Sequence, residues 1–287
     1  DNTGTITEGS KAEQIIPYIT FTANGEQKFK MITSGKYTIS GLQYSVNNGK
    51  WENVEKDIPV TFGGTNGTLR LRGTNINGTA SSSIHLSTIR FTDKTVKVAC
   101  TGDIRTLLDW RNYSTVKTQN ARFCNLFIDC AVLTSAPELP ATKLAGNCYD
   151  SMFSGCTSLT DAPVLPATKL ADFCYSSMFS GCTSLTSAPK LSAEKLANNC
   201  YSYMFSNCNS LSTITMLAPA SEINLIQYFF VNWLNRAGRT AASRTLKVQD
   251  EDAYNALVGK GYLPDNWKKG AENTTVLNKD NAEIIIE

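Results

Sequence analysis

The chain has 287 residues, of which 41% are hydrophobic and 18% charged, with 27 Lys and Arg against 25 Asp and Glu. That length allows one large domain or two ordinary ones, and a net charge of +2 excludes recognition through the strong positive field that nucleic acid or an anionic membrane face demands. No apolar run is long enough to span a bilayer, and one histidine with nine cysteines, none in a Cys-x-x-Cys pair, gives no zinc-ligand spacing.

Residues 1–14 open on the polar run Asp1-Asn2-Thr3-Gly4-Thr5 and read as a linker. From 15 to 100 the pattern is short alternating runs, at 18–22, 27–32, 36–39, 42–46, 50–54, 59–62, 68–72, 86–92 and 95–100, separated by turn signals such as Asn24-Gly25, Gly63-Gly64 and Asn77-Gly78. Asn48-Gly49, between Tyr44-Ser45-Val46 and Lys50-Trp51-Glu52, predicts a two-residue hairpin turn. So many short strands at this spacing predict an antiparallel β-sandwich, immunoglobulin-like in architecture only, since the Cys…Trp…Cys pattern is missing. Trp51 is expected as a cross-strand core residue, and the lone His85 as a surface loop residue. Residues 101–120 then read as a cap, with Leu107, Leu108 and Trp110 covering the first coil of the C-terminal neighbour, residues 121–217.

Between 121 and 217 one phrase recurs. Cys148-Tyr149-Asp150-Ser151-Met152-Phe153-Ser154-Gly155-Cys156 returns as Cys174-Tyr175-Ser176-Ser177-Met178-Phe179-Ser180-Gly181-Cys182, and more loosely from Cys200 to Cys208, at a step of 26 residues. An earlier unit keeps Leu126, Phe127, Cys130 and Leu133 but has Arg122 in place of the first cysteine, as an entry cap would. Such a unit cannot cover its own apolar face, so a period of this size predicts stacked units sharing one core. Leu170, Cys174, Met178 and Cys182, four apart, predict an amphipathic helix in each unit, stopped by Gly181 and followed by a short strand. Helical spacing puts the cysteines too far apart to bridge within a unit, and packed helices would hold Cys148, Cys174 and Cys200 apart between units. Cys156, Cys182 and Cys208 fall near the strands, where rungs about 5 Å apart leave a bridge conceivable; the odd total leaves one thiol over, and buried free thiols acting as small apolar fillers are the expectation.

Leu165-Pro166-Ala167-Thr168-Lys169-Leu170-Ala171, followed by the Cys-Tyr…Met-Phe-Ser-Gly-Cys-Thr-Ser-Leu-Thr phrase, resembles the BspA-like leucine-rich repeats found on surface proteins of anaerobic gut and oral bacteria. The resemblance covers residues 121–217 best. It implies an exported protein at the cell surface, often anchored by lipid at its N-terminus, that adheres or binds ligands and is not an enzyme.

Residues 218–287 read as a C-terminal cap. Ile223, Ile226, Phe230, Trp233 and Ala237 predict an amphipathic lid helix ending at Gly238. A strand at 244–248 and a helix at 251–258, N-capped by Asp250, come next. A terminal hairpin of 274–277 with 283–286 is expected to pair its Ile284-Ile285-Ile286 run rather than expose it.

The expected fold is therefore a multi-domain α+β chain: linker 1–14, β-sandwich 15–100, leucine-rich-repeat α/β solenoid 101–217, cap 218–287. The expected function is non-enzymatic recognition of an extracellular protein or glycan by a monomer, with no cofactor and no nucleic acid. Ser135, Glu138, Asp161, Val164, Ser187 and Lys190 fill equivalent places on the strand face with different chemistry, and are the candidate ligand contacts. Two alternatives stand beside this: a carbohydrate-binding accessory module using Tyr44 and Trp51, and a polysaccharide hydrolase whose carboxylate pair leaves no local signature.

Overall fold

The computed structural model describes residues 15–285, so the 1–14 linker and Ile286 lie outside it. The chain is mostly β, with three sheets and two short α-helices among the described residues, a β-rich α+β fold.

Eight strands arise from 15–101: β1 Ile19–Thr22, β2 Gln27–Ser34, β3 Leu42–Val46, β4 Glu52–Asn53, β5 Val60–Phe62, β6 Leu69–Gly73, β7 Leu86–Phe91 and β8 Ala99–Thr101. They build two antiparallel sheets, ordered β4-β3-β6-β1-β8 and β5-β2-β7. Eight of the nine alternating runs are thus strands; 36–39 is a loop. Phe21 of the first sheet meets Phe29, Phe62 and Phe91 of the second at centroid distances of 5.3–6.5 Å. The β3–β4 turn sits one residue earlier than Asn48-Gly49 implies: Asn47 and Asn48 carry φ of 50° and 56°, and Gly49 N–H closes the turn onto the Val46 carbonyl. Asparagine tolerates this left-handed geometry well enough to displace glycine from it.

The repeats contain no α-helix. Each apolar phrase is a run of overlapping turns. Cys148, Asp150, Met152, Ser154 and Cys156 donate N–H bonds three residues back, while Tyr149, Ser151, Phe153 and Gly155 donate to the carbonyls of Cys174, Ser176, Met178 and Ser180 in the next repeat. The same alternation links 123–129 to 148–154 and 175–181 to 200–206. Every fourth residue is left-handed: Asn147, Ser151, Gly155; Phe173, Ser177, Gly181; Asn199, Tyr203, Asn207. A spacing of four fits a helical face and this ribbon equally well. The ribbon prevails because half of its N–H groups reach a neighbouring repeat, which an isolated helix cannot use.

The expected lid helix meets the same end. Only Ala220–Ile223 (α1) is helical, and from Tyr228 the chain becomes another ribbon, with Asn232 and Arg236 left-handed, that receives N–H bonds from Asn199, Tyr201, Tyr203, Phe205 and Asn207. On the opposite side the backbone runs extended. Parallel bridges join Val98 to Leu133, Ser135 to Asp161 and Ser187 to Thr213, and the series continues into a parallel sheet of β9 Thr213–Met216, β10 Arg244–Val248 and β11 Thr274–Leu277. The helix expected after Asp250 is present as α2, Glu251–Gly259, with the Asp250 carboxylate accepting from Ala253 N–H. Ile284 is buried and hydrogen-bonded to Val276, whereas Ile285 is exposed.

Between ribbon and extended side lie two aromatic columns. Phe127, Phe153, Phe179 and Phe205 stack at 5.5, 5.7 and 5.8 Å, within 8° of parallel. Phe123, Tyr149, Tyr175 and Tyr201 form the second, at 6.3, 6.1 and 6.2 Å. Phe21 reaches Phe127 at 6.1 Å, so one continuous core runs from the first sheets through the repeats to Val276 and Ile284.

All nine cysteines are free and buried. Beyond filling space, Cys156, Cys182 and Cys208 each direct the thiol at the carbonyl of the phenylalanine 29 residues earlier, at 3.0–3.1 Å. Each of those carbonyls also accepts the N–H of the cysteine three residues on, so both lone pairs are used. The Tyr175 hydroxyl, by contrast, is buried with no hydrogen-bond partner. Tyr175→Phe removes an unpaired polar group and keeps the ring, so it should stabilise the fold by about 1 kcal/mol; a lower urea midpoint for the variant would contradict this.

Candidate functional site

The extended side of the repeats carries a groove of about 450 Å³, lined by Ala136, Pro137, Glu138, Leu139 and Pro140 of one rung and Pro163, Val164 and Pro166 of the next. Its floor is apolar. Its opening has a physical cause: proline has no N–H to contribute to a ladder, and these two rungs carry four prolines. One rung further on, where Ser192 replaces the second proline, the backbone closes up: Ala188 donates to Thr213, Leu191 to Thr215 and Leu217 to Leu191.

Two of the six candidate contacts, Glu138 and Val164, line this groove from repeats 26 residues apart. Val164 is 79% exposed, unusual for an apolar side chain. The Glu138 carboxylate is exposed at the same rim. Its backbone is fixed by a parallel bridge to Asp103, with Glu138 N–H on Gly102 and its carbonyl accepting from Ile104. Asp103 itself is spent on Arg105, at 2.7 Å, and that contact holds the guanidinium above its usual range. Ser135 is otherwise engaged: its hydroxyl donates to the Cys100 carbonyl and accepts the Cys100 N–H. Asp161, bridged to Ser135, is exposed and accepts from the Thr160 hydroxyl. Ser187 and Lys190 are exposed on the following rung, outside the groove.

The aromatic pair Tyr44 and Trp51 is not brought together. Tyr44 packs against the core. Trp51 is not a core residue; it lies with Tyr18, Arg70 and Arg72 on the outer face of the five-stranded sheet. Trp110 joins that face instead of covering the first repeat, while Leu107 and Leu108 are buried in the core. Inward Leu69 and Leu71 force the alternate Arg70 and Arg72 outward by strand periodicity alone. His85 is half-buried, and its Nδ1 accepts the Lys36 N–H, tying two loops together.

Among the described residues no group of three His, Cys, Asp or Glu is placed to hold a metal ion, and no helix is long and apolar enough to cross a membrane. The prolines of the groove escaped the candidate contacts, although Pro-x-x-Pro at the same place in two consecutive repeats, Pro137/Pro140 and Pro163/Pro166, is a legible signal of unzipped rungs. Compared with family models, with curated proteins and with solved structures, the chain matches none.

Proposed function

We propose that the chain is a non-enzymatic recognition protein displayed at a cell surface, and that it binds an extended segment of a partner protein in the proline-lined groove. In this reading residues 15–100 form a β-sandwich, 101–217 a leucine-rich-repeat solenoid and 218–287 its cap, with the repeats holding the binding face rigid. The observation that carries it is the groove itself, where a shared repeat register sets Glu138 beside an exposed Val164 over an apolar floor. An apolar cleft with one charged anchor at its rim suits a peptide that buries a hydrophobic side chain and offers a lysine or arginine to the carboxylate. The four prolines keep the floor rigid, so little ordering entropy is lost on binding.

The test is surface plasmon resonance against a panel of extracellular matrix proteins. Val164→Asp replaces the exposed apolar contact at the groove's rim with a charge that a buried hydrophobic partner side chain must desolvate, and should weaken binding by at least about tenfold. Glu138→Gln should weaken it less and reduce its salt dependence. Unchanged affinity in both variants removes the groove from the binding reaction.

A further inference from the structure

The outer face of the five-stranded sheet carries a second constellation, well away in sequence from the groove. Arg70 and Arg72 project from β6 between Thr20, Ser45 and Gln43 of the flanking strands. Three rings interleave with them. Tyr18 and Trp51 lie 4.9 Å apart, and the Arg70 guanidinium sits 5.0 Å from Trp51 and 5.4 Å from Tyr18. Arg72 is held between Trp51 at 4.2 Å and Trp110 at 4.3 Å, and Arg111 covers Trp110 at 4.1 Å.

None of these three guanidinium groups forms an ion pair among the described residues. Arg72 spends only its Nε, on the Gln43 side-chain oxygen at 2.9 Å, and Arg70 makes a long contact to the Ser45 hydroxyl while its Nε is buried without a partner. Acidic groups adjoining the cluster in sequence are already engaged: Asp109 with Asn112 and the Arg111 N–H, Glu52 with Lys50 at 3.6 Å.

Stacking decides which chemistry is left over. Two guanidinium groups already pack on Trp110 and two rings on the Arg72 guanidinium, so these planes are engaged before any neutral sugar ring or nucleic-acid base arrives. The in-plane N–H edges remain, held in fixed orientation by the rings, and a planar fork of donors matches a carboxylate bidentately. A formal charge of +2 for the whole chain supplies no general field for nucleic acid, so recognition must rest on local anchors. We propose that this face is a binding site for an acidic, uronate-bearing glycan, its carboxylates engaging Arg70, Arg72 and Arg111 in turn.

The experiment measures binding of the full chain to polygalacturonate by isothermal titration calorimetry. Fully methyl-esterified polygalacturonate serves as the neutral control and single-stranded DNA as a second polyanion. Polygalacturonate should bind, more weakly as salt rises, while the methyl ester does not. Arg72→Gln and Arg111→Gln should each lower affinity by about tenfold, and Arg72→Lys should recover only part of the loss, because it keeps the charge without the fork. Arg111 is exposed, so its variant should unfold at the wild-type temperature even if Arg72→Gln does not. Val164→Asp should leave glycan binding intact, which separates this site from the groove. No binding of polygalacturonate, equal binding of the methyl ester, tighter binding of DNA, or undiminished affinity in Arg111→Gln would each overturn the proposal.

Discussion

The protein should unfold cooperatively in mild alkali, with its transition between about pH 9 and pH 10. Burial pushes every one of the nine thiols up from its ordinary value of 9.0, to about 12 for Cys124, Cys130, Cys200 and Cys208. A thiol in this position keeps its proton in the folded state at a pH where the unfolded chain has lost it. The stability that this protonation represents is whole below pH 9 and drains away as pH rises toward the folded-state values. At pH 10 an unfolded thiol with its ordinary value gains about 1.4 kcal/mol by ionising, and nine together gain about 13 kcal/mol. A domain's entire stability is about 5–15 kcal/mol. Buried Tyr149, Tyr175 and Tyr201, whose hydroxyls are pushed up from 10.0 for the same reason, steepen the loss from about one pH unit higher. Urea titrations followed by circular dichroism at successive pH values check this. A urea midpoint at pH 10.5 equal to that at pH 7 would show that the thiols are not sealed as the structure has them.

Phe179→Ala should destabilise the protein by about 3–5 kcal/mol. Its ring is fully buried and touches Phe153 at 5.7 Å on one side and Phe205 at 5.8 Å on the other. Truncation therefore leaves a void in the middle of a column that cannot collapse, because the ribbon hydrogen bonds on either side of it, from Phe179 to Met204 and from Phe153 to Met178, fix the spacing of the repeats. The core is continuous from Ile19 to Ile284, so the loss should appear as one transition at lower temperature, with the N-terminal strands melting together with the repeats. Val164→Ala, on the open groove, is the matched control and should move stability by less than about 0.5 kcal/mol. Two separated melting transitions in Phe179→Ala would show that the repeats and the first sheets unfold independently.

The amino-acid sequence by itself determined the period, the identity of the buried residues and most of the N-terminal strands. Repetition of Cys-Tyr…Met-Phe…Cys at 26 residues fixes which side chains recur in the core, and Leu69-Arg70-Leu71-Arg72 fixes which arginines must face out, because a strand alternates its sides. Asp250 fixed the start of α2 because its cap is satisfied within four residues of chain.

Only the tertiary structure decided what the period-four segments are. Cys148, Met152 and Cys156, or Phe229, Trp233 and Ala237, are spaced for a helix; the first form a ribbon because Tyr149, Ser151 and Phe153 find their acceptors in another repeat, and the second because the carbonyls of Phe229, Val231 and Trp233 accept from Tyr201, Tyr203 and Phe205. That partner is invisible to any local pattern. The same holds for Trp51 and Trp110, 59 positions apart, which sequence assigned to the core and to a cap but which meet Arg72 from either side. It holds for the groove as well, since a proline shows locally only what it cannot donate. Whether the missing ladder opens a cleft depends on a second proline pair, Pro163 and Pro166, lying against Pro137 and Pro140, and that juxtaposition exists only once the repeats are stacked.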